Sequence, residues 1–323
     1  MSKQINQPEI SIVVPVYNEE ENVQNLHAEI NEVCVSQGYT YEIIFVDDGS
    51  TDGTFEACKS LNPLKFIRLR RNFGQTAAMD AGIKAAQYPL IITMDGDGQN
   101  NPVDIPNLID YLVKNDFDIV SGWRKNRKDS IFKKFASRGA NLLRSIIVKD
   151  NIHDSGCSLK IYRKECFDYL TLYGEMHRFI PALCKIKGFT VGEIEVNHRP
   201  RMAGKTKYNW KRTVRGFIDM VSVWFWHKYS VRPLHLLGGV GIIMLFLGVI
   251  SGIRTTINYL GGQSLSDDFQ AFLTLAFLMA GLFLFVCGLI SDVLSKIYYG
   301  GQMDRAYSIK EVLINGEKET EER

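Results

Sequence analysis

The chain has 323 residues, with 38 Lys and Arg against 36 Asp and Glu and a formal net charge of +2. That length holds a full α/β domain with elements to spare, and so mild a charge argues against a nucleic-acid partner. Six cysteines without a CxxC pair, and no secretory leader at the start, argue for reduced thiols rather than a disulfide framework or a zinc site.

Taken in order, the first half alternates strand-like and helix-like segments. "ISIVVPV" (10–16) and "YEIIFV" (41–46) are short, apolar, β-branched runs suited to buried strands. Between them Val23, Leu26, Ile30 and Val33 recur at helical spacing, and Gly38 supplies a C-terminal stop. "LKFIRL" (64–69), "LIITM" (90–94) and "FDIVSG" (117–122) continue the strand series, with "GQTAAMDAGIKAAQ" and "VDIPNLIDYLVKN" as the intervening helices. This rhythm predicts an α/β domain with a mostly parallel sheet covered by helices.

Two apolar segments follow. Leu234–Ile253 contains no Asp, Glu, Lys or Arg, and Phe269–Ile290 has no ionisable side chain except Cys287. Each is about 20 residues, enough to cross the hydrocarbon of a bilayer as a helix. A buried hairpin in a soluble core is the alternative, disfavoured because two such runs in succession are rare there. The first run carries Gly248-x-x-x-Gly252, suited to close helix contact. Lys228 and Arg232 precede the first span, and Lys296, Arg305 and Lys310 follow the second. The positive-inside rule then predicts that both termini and the α/β domain are cytoplasmic. Residues 209–232, which mix basic side chains with Trp210, Trp224, Phe225 and Trp226, read as an amphipathic segment lying in the headgroup region. The predicted organisation is a domain over 1–208, this segment, two spans within 233–296 and a cytoplasmic tail over 297–323. The end of that tail, "NGEKETEER" (315–323), is expected to be disordered.

The chemistry concentrates in two acidic turns, "VDDGSTDGT" (46–54) and "MDGDGQNNP" (94–102), each directly after an apolar strand. Asp and Gly favour turns for local reasons alone. However, ligands of open parallel sheets bind beyond the carboxyl ends of the strands, where Asp47, Asp48, Asp95 and Asp97 are all expected. Carboxylates gathered there repel one another unless a cation sits among them. Asp95, Asp97 and Gln99 form an oxygen donor set suited to Mg²⁺ or Mn²⁺. An EF-hand fails, since Asn100 and Pro106 stand where a glycine and a bidentate Glu are required. "AGKT" (203–206) lacks the first glycine of a Walker A loop, with Arg199 in its place, and no GxGxxG is present. A divalent ion with few protein ligands keeps positions open for a diphosphate and favours nucleotide-sugar chemistry.

"VVPVYNEEENV", "VDDGSTDGT", "RNFGQTAAMDAGI", "MDGDGQNNP", "SGWR" and "DSGCSLKIYRKE" together resemble the family 2 glycosyltransferases of GT-A fold. The closest likeness is to the polyprenyl-phosphate sugar transferases, the bacterial GtrB-type enzymes and their dolichyl-phosphate mannose synthase relatives. It extends over nearly all of residues 9–300. The resemblance implies that Pro15, Tyr17, Glu19, Asp47, Asp48 and Asp95 bind the nucleotide-sugar and that Asp95, Asp97 and Gln99 hold the metal. Gly96 and Gly98 depart from the Ala and Leu common in relatives without removing a ligand.

A phosphate acceptor is already an oxyanion, with a second pKa of about 6, so it attacks without a general base once cations position it. Arg124, Arg138 and Lys205 are the acceptor-phosphate residues that the resemblance implies. Arg201 joins them within "HRPRMAGKTKYNWKR" (198–212). That run also reads as a polybasic stretch drawn to anionic lipid, and the two readings are compatible. Asp97, Arg124 and Asp154 are the expected catalytic residues. For Asp154, orienting the donor sugar, supporting the acceptor cations and capping a helix all stay open. His177 and Arg178 recur in relatives by resemblance, without an assignable role. His153, His198 and His227 read as ordinary surface or interfacial residues.

The expectation is an inverting, metal-dependent transfer of a sugar, foremost glucose from UDP-glucose, to undecaprenyl phosphate at the inner face of a bacterial cytoplasmic membrane. UDP-N-acetylglucosamine, an amino-arabinose donor and GDP-mannose are the alternatives, and the resemblance points to a homotetramer. A processive polysaccharide synthase is disfavoured, since there is no QxxRW and two spans are few for a polymer channel. A non-enzymatic scaffold or transport subunit is the rival of another class. Neither span places a charge at its centre, as a translocation path often requires.

Overall fold

The computed structural model describes residues 7–125, 152–168, 170, 172, 174–200, 225, 229, 233–262, 269–300, 309–314 and 317–318. Arg138, Arg201 and Lys205 lie outside the described residues, as does the 209–232 segment apart from Phe225 and Tyr229.

Strand β1 (Glu9–Val16) pairs in parallel with β2 (Thr40–Asp47), and β2 with β3 (Lys65–Leu69). On its other side β1 pairs in parallel with β4 (Leu90–Thr93). Helices α1 (Val23–Gln37), α2 (Thr54–Cys58), α3 (Gln75–Ala85) and α4 (Ile105–Lys114) occupy the intervals. Side chains alternate across a strand, so a run apolar at every position must bury both faces. Ile10, Ile12, Val14 and Val16 of β1, with Ile43 and Phe45 of β2, pack under Leu26 and Ile30 of α1 and Leu108 and Leu112 of α4. Val13, Ile44 and Val46 face the other way, onto Ala78, Met79 and Ile83 of α3. Helix α1 stops at Gly38, as its sequence predicts. That residue adopts φ 67°, and the last turn closes through Tyr39 N–H to the Cys34 carbonyl at 3.0 Å.

The sheet keeps the expected parallel majority and is mixed. Strand β6 (Lys160–Arg163) runs antiparallel to both β4 and β5 (Ile119–Trp123), and β7 (Val191–Glu195) is parallel to β5 and follows α5 (Ile180–Ile186). The chain enters β6 at the edge where β4 and β5 end, so β6 has to run back between them.

The C-terminal residues also differ from expectation. Residues 297–300 complete the last helix, and β8 (Ile309–Ile314) adds antiparallel to β3, followed by β9 (Glu317–Lys318). The order is β7-β5-β6-β4-β1-β2-β3-β8-β9. "IKEVLI" is apolar enough to pair, and β3 would otherwise present an open edge. The strands over 309–318 thereby belong to the α/β unit, while residues 221–304 form a second unit.

In that second unit, α6 (Pro233–Leu260) and α7 (Phe269–Gly300) are long and apolar enough to cross a membrane by length and composition. Their tightest approach is not at the predicted glycine pair alone. A Cβ on Gly281 would lie 2.7 Å from the Leu245 nitrogen and 2.8 Å from the Gly241 carbonyl. Gly248 packs against Leu278, whereas a Cβ on Gly252 would meet only the Thr274 methyl, at 3.3 Å. Near one end, Ser251 Oγ and Thr274 Oγ1 lie 2.8 Å apart and Gln270 Nε2 donates to Ser251 Oγ at 2.8 Å.

Candidate active site

Strands β1, β2, β3 and β4 are mutually parallel, and β5 and β7 run the same way, so their carboxyl ends share one sheet edge. The segments after β1 (17–20), β2 (48–53), β3 (70–75), β4 (94–101), β5 (124–125) and β7 (196–199) gather there. So does the 154–158 turn that leads into the antiparallel β6.

Backbone and side-chain bonds lace the first two segments together. Asn18, at φ 52°, donates its N–H to Ser50 Oγ at 2.9 Å and accepts from Thr51 N at 2.9 Å. Glu20 Oε2 accepts from Gly53 N at 2.6 Å, and Glu19 Oε2 from Asn22 Nδ2 at 2.6 Å. Pro15 is buried and Tyr17 and Glu19 are half-buried at this lip.

The two carboxylates of the first acidic turn have different duties. Asp47 Oδ1 accepts from Ser50 N at 2.8 Å, while its buried Oδ2 has no hydrogen bond and lies 3.4 Å from Arg68 Nε. Asp48 directs both oxygens at the loop after β3, taking Phe73 N at 2.7 Å and Gly74 N at 2.9 Å. Burial raises the pKa of both groups.

In the second turn, Gln75 Nε2 donates to Asp95 Oδ1 at 2.6 Å, and Asp97 Oδ1 accepts from Gln99 N at 3.2 Å. Burial, then the Asp97 charge, raises the Asp95 pKa, with Ser158, Arg124 and Lys160 opposing. Among the described residues no group of three or more His, Cys, Asp or Glu side chains could hold a metal alone. The buried Asp95, whose ionised form burial disfavours, together with the Asp97 carboxylate and the Gln99 amide, nevertheless fits a divalent cation that completes its shell with ligand oxygens.

Arg124 and Asp154 form a two-point ion pair, Nε to Oδ2 at 2.7 Å and Nη2 to Oδ1 at 2.9 Å. Burial works against the guanidinium charge, but Asp154 outweighs it and raises the Arg124 pKa. The turn carrying Asp154 is pinned from β7, because Glu193 accepts from the N–H groups of both His153 and Asp154. Behind it, Lys160 is buried, donates to the Cys157 carbonyl and to Ser155 O at 3.4 Å, and has its pKa lowered by burial.

The chain after β7 closes over the second acidic turn. Arg199 N donates to Gln99 O at 2.9 Å, Asn197 pairs with Asp104 through two bonds, and Arg199 reaches Glu29 Oε1 at 2.9 Å. His198 bridges to Asn100, and His153 stacks on Trp123 with ring centroids 4.7 Å apart.

Sequence reasoning missed Gln75, Ser158 and Lys160. Gln75 was legible in principle, since the first residue of a helix that follows a parallel strand must sit at the same edge. Ser158 and Lys160 depend on β6 running backwards, which no local pattern announces.

An α/β sheet with its polar residues collected beyond the strand ends is the architecture of GT-A glycosyltransferases, and solved structures agree. Mannosyl-3-phosphoglycerate synthase from Rubrobacter xylanophilus superposes with a TM-score of 0.57 at 15% identity, covering 69% of this chain and 75% of that one. Glucosyl-3-phosphoglycerate synthase from Mycobacterium tuberculosis, in complex with Mn²⁺ and UDP-glucose, gives 0.54 at 16% identity, over 67% of this chain and 79% of that one. Residues 11–171 match the family model "Glycosyl transferase family 2". A dodecaprenyl-phosphate galacturonate synthase from Rhizobium johnstonii is 38% identical, over 94% of this chain and 93% of its own. An undecaprenyl-phosphate 4-deoxy-4-formamido-L-arabinose transferase from Aeromonas hydrophila is 31% identical, over 94% of each chain. The chain belongs to glycosyltransferase family 2, among its polyprenyl-phosphate glycosyltransferases.

Proposed function

We propose that the protein transfers a sugar, with inversion, from a nucleoside diphosphate to the phosphate of a polyprenyl phosphate at the cytoplasmic face of a bacterial inner membrane. The observation that carries this reading is the meeting, at one strand edge, of the Asp95–Asp97–Gln99 turn and the Arg124–Asp154 pair.

A divalent cation, Mg²⁺ or Mn²⁺, supplies charge to stabilise the departing diphosphate when bound. Asp95, Asp97 and Gln99 would hold it. Pro15, Tyr17, Glu19 and the 47–53 turn form the nucleotide lip. Arg124 keeps N–H groups beyond those given to Asp154 and offers them to the acceptor phosphate. Asp154 aims and charges Arg124, which favours its role as support for the acceptor cations. Arg138, Arg201 and Lys205 complete the acceptor site in this reading. An anionic acceptor needs no proton removed, so no general base is assigned.

The resemblance to the GtrB-type enzymes makes glucose the first donor to test. The named relatives use galacturonate and 4-deoxy-4-formamido-L-arabinose, so all three donors belong in the test. Membership of the α/β sheet by β8 supports placing both ends of the α6–α7 hairpin on one side of the membrane, and the flanking Lys and Arg place that side in the cytoplasm.

The test is nucleoside diphosphate release by the purified full chain with Mg²⁺ or Mn²⁺ and undecaprenyl phosphate. UDP-glucose, UDP-galacturonate, UDP-4-deoxy-4-formamido-L-arabinose, UDP-N-acetylglucosamine and GDP-mannose serve as donors. Release that needs lipid, metal and one donor establishes the reading. No lipid-dependent release from any of them would return the α/β domain to a binding role in a scaffold.

A further inference from the structure

Four side chains connect the two acidic turns through the start of α3. Asp48, at the end of β2, takes the N–H groups of Phe73 and Gly74 on its two oxygens, at 2.7 and 2.9 Å. The next residue, Gln75, extends its amide to Asp95 Oδ1 at 2.6 Å. From the opposite side, His177 Nδ1 lies 2.7 Å from Thr76 Oγ1, in a contact where both residues are buried. Arg178 Nε donates to His177 Nε2 at 3.4 Å, which leaves Nδ1 as the protonated nitrogen and Thr76 as its acceptor. The first turn of α3 is thus fixed at its loop by Asp48 and at its second residue by His177, and Gln75 sits between these anchors.

A carboxylate at the end of a strand has a broad torsion about its last bond. The hydrogen bonds that hold the Asp95 carboxylate come from outside "MDGDGQ", from the Gln75 amide and the Ser158 side chain, and of the two Gln75 engages Oδ1 at the start of α3. We propose that Gln75 is the positioning residue for Asp95. It engages Oδ1, sets the plane of the carboxylate and so fixes how Oδ2 faces a divalent cation. Asp48, Thr76 and His177 are the framework that holds Gln75. This rests on the reading of Asp95 as a cation ligand and extends it. It assigns the second aspartate of "VDDGS" to architecture, and it gives His177 a purpose that its sequence context leaves blank.

The experiment is Mn²⁺ binding to the full chain in detergent, followed by the Mn²⁺ spin-resonance signal, with Mn²⁺ alone and with UDP or GDP present. Wild type is compared with Gln75→Ala and with Gln75→Met, which keeps the bulk but cannot donate. In both variants Mn²⁺ affinity in the presence of nucleotide should fall about 10-fold or more, the usual effect of removing a residue that orients a metal ligand. Nucleotide binding without metal and the melting temperature should stay at wild-type values. Turnover should recover at saturating Mn²⁺, since a displaced ligand raises the metal requirement rather than removing the site. Wild-type Mn²⁺ affinity in both variants would overturn the proposal. So would an equal loss of metal-free nucleotide binding, which would mark Gln75 as a general support of the fold. Should wild type itself fail to bind Mn²⁺, alone and in the presence of either nucleotide, the cation reading of Asp95 falls and the positioning role falls with it, a failure visible before any variant is compared.

Discussion

Arg124 and Asp154 meet side by side, with the guanidinium Nε 2.7 Å from one carboxylate oxygen and Nη2 2.9 Å from the other. Their side chains retain only 11% and 13% exposure, so each is the other's main source of charge compensation. Removing one partner of such a pair leaves a buried charge and costs about 3 kcal/mol. Asp154→Ala should therefore lower the melting temperature and abolish acceptor-dependent turnover together. The double variant Arg124→Met/Asp154→Leu should regain melting temperature but no activity. A double variant less stable than Asp154→Ala would refute the account of the pair.

Metal affinity should be lost on acidification earlier than an ordinary aspartate would allow. Burial and the neighbouring Asp97 raise the pKa of Asp95 above its usual 3.8. Its protonated form cannot ligate, so Mn²⁺ affinity should begin to fall above that pH. Without metal the sign for stability is opposite. A carboxyl whose folded pKa is raised contributes stability below its unfolded pKa, and loses that contribution as pH rises through the folded value. Metal titrations and melting curves across the acid range check both halves, and an Asp95→Asn variant should flatten the second.

Gly49 is the point where the first acidic turn touches the loop after β3. It adopts φ 72°, and a Cβ there would lie 2.5 Å from the Arg71 carbonyl carbon and 2.7 Å from the Asn72 nitrogen. Gly49→Ala combines left-handed backbone strain with a backbone clash, and should cost about 1–3 kcal/mol. It should also loosen the Asp48 bonds to Phe73 and Gly74. Calorimetry on the variant, read against nucleotide affinity, measures both effects, and an unchanged melting temperature would contradict the packing.

The membrane hairpin should be most sensitive at Gly281. Any side chain there would meet the Leu245 nitrogen and the Gly241 carbonyl of the opposing helix. Gly281→Leu should force α6 and α7 apart, while Gly252→Ala, facing a single Thr274 methyl, should be tolerated. Engineered cysteines flanking the contact, compared for cross-linking yield in the two backgrounds, would report the separation.

Much of the outcome was written into local patterns. Runs such as Ile12–Val16 and Ile43–Val46 are apolar at successive positions, and period-two geometry favours that in a strand buried on both faces. The stop at Gly38, the two apolar helices and the placing of Asp47, Asp48, Asp95 and Asp97 at one edge follow from rules that need no distant partner. Tertiary structure decided what depends on pairing between remote segments. The reversal of β6 brings Ser158 and Lys160 to the site, and the return of Ile309–Ile314 to β3 makes sheet of part of the expected 297–323 tail. Above all, both oxygens of Asp48 turn to the Phe73–Gly74 loop while Gln75 turns to Asp95. A carboxylate's residue type states that it will accept hydrogen bonds. Which donors reach it is set by how separate strand ends are stacked, and that information resides in the packed chain.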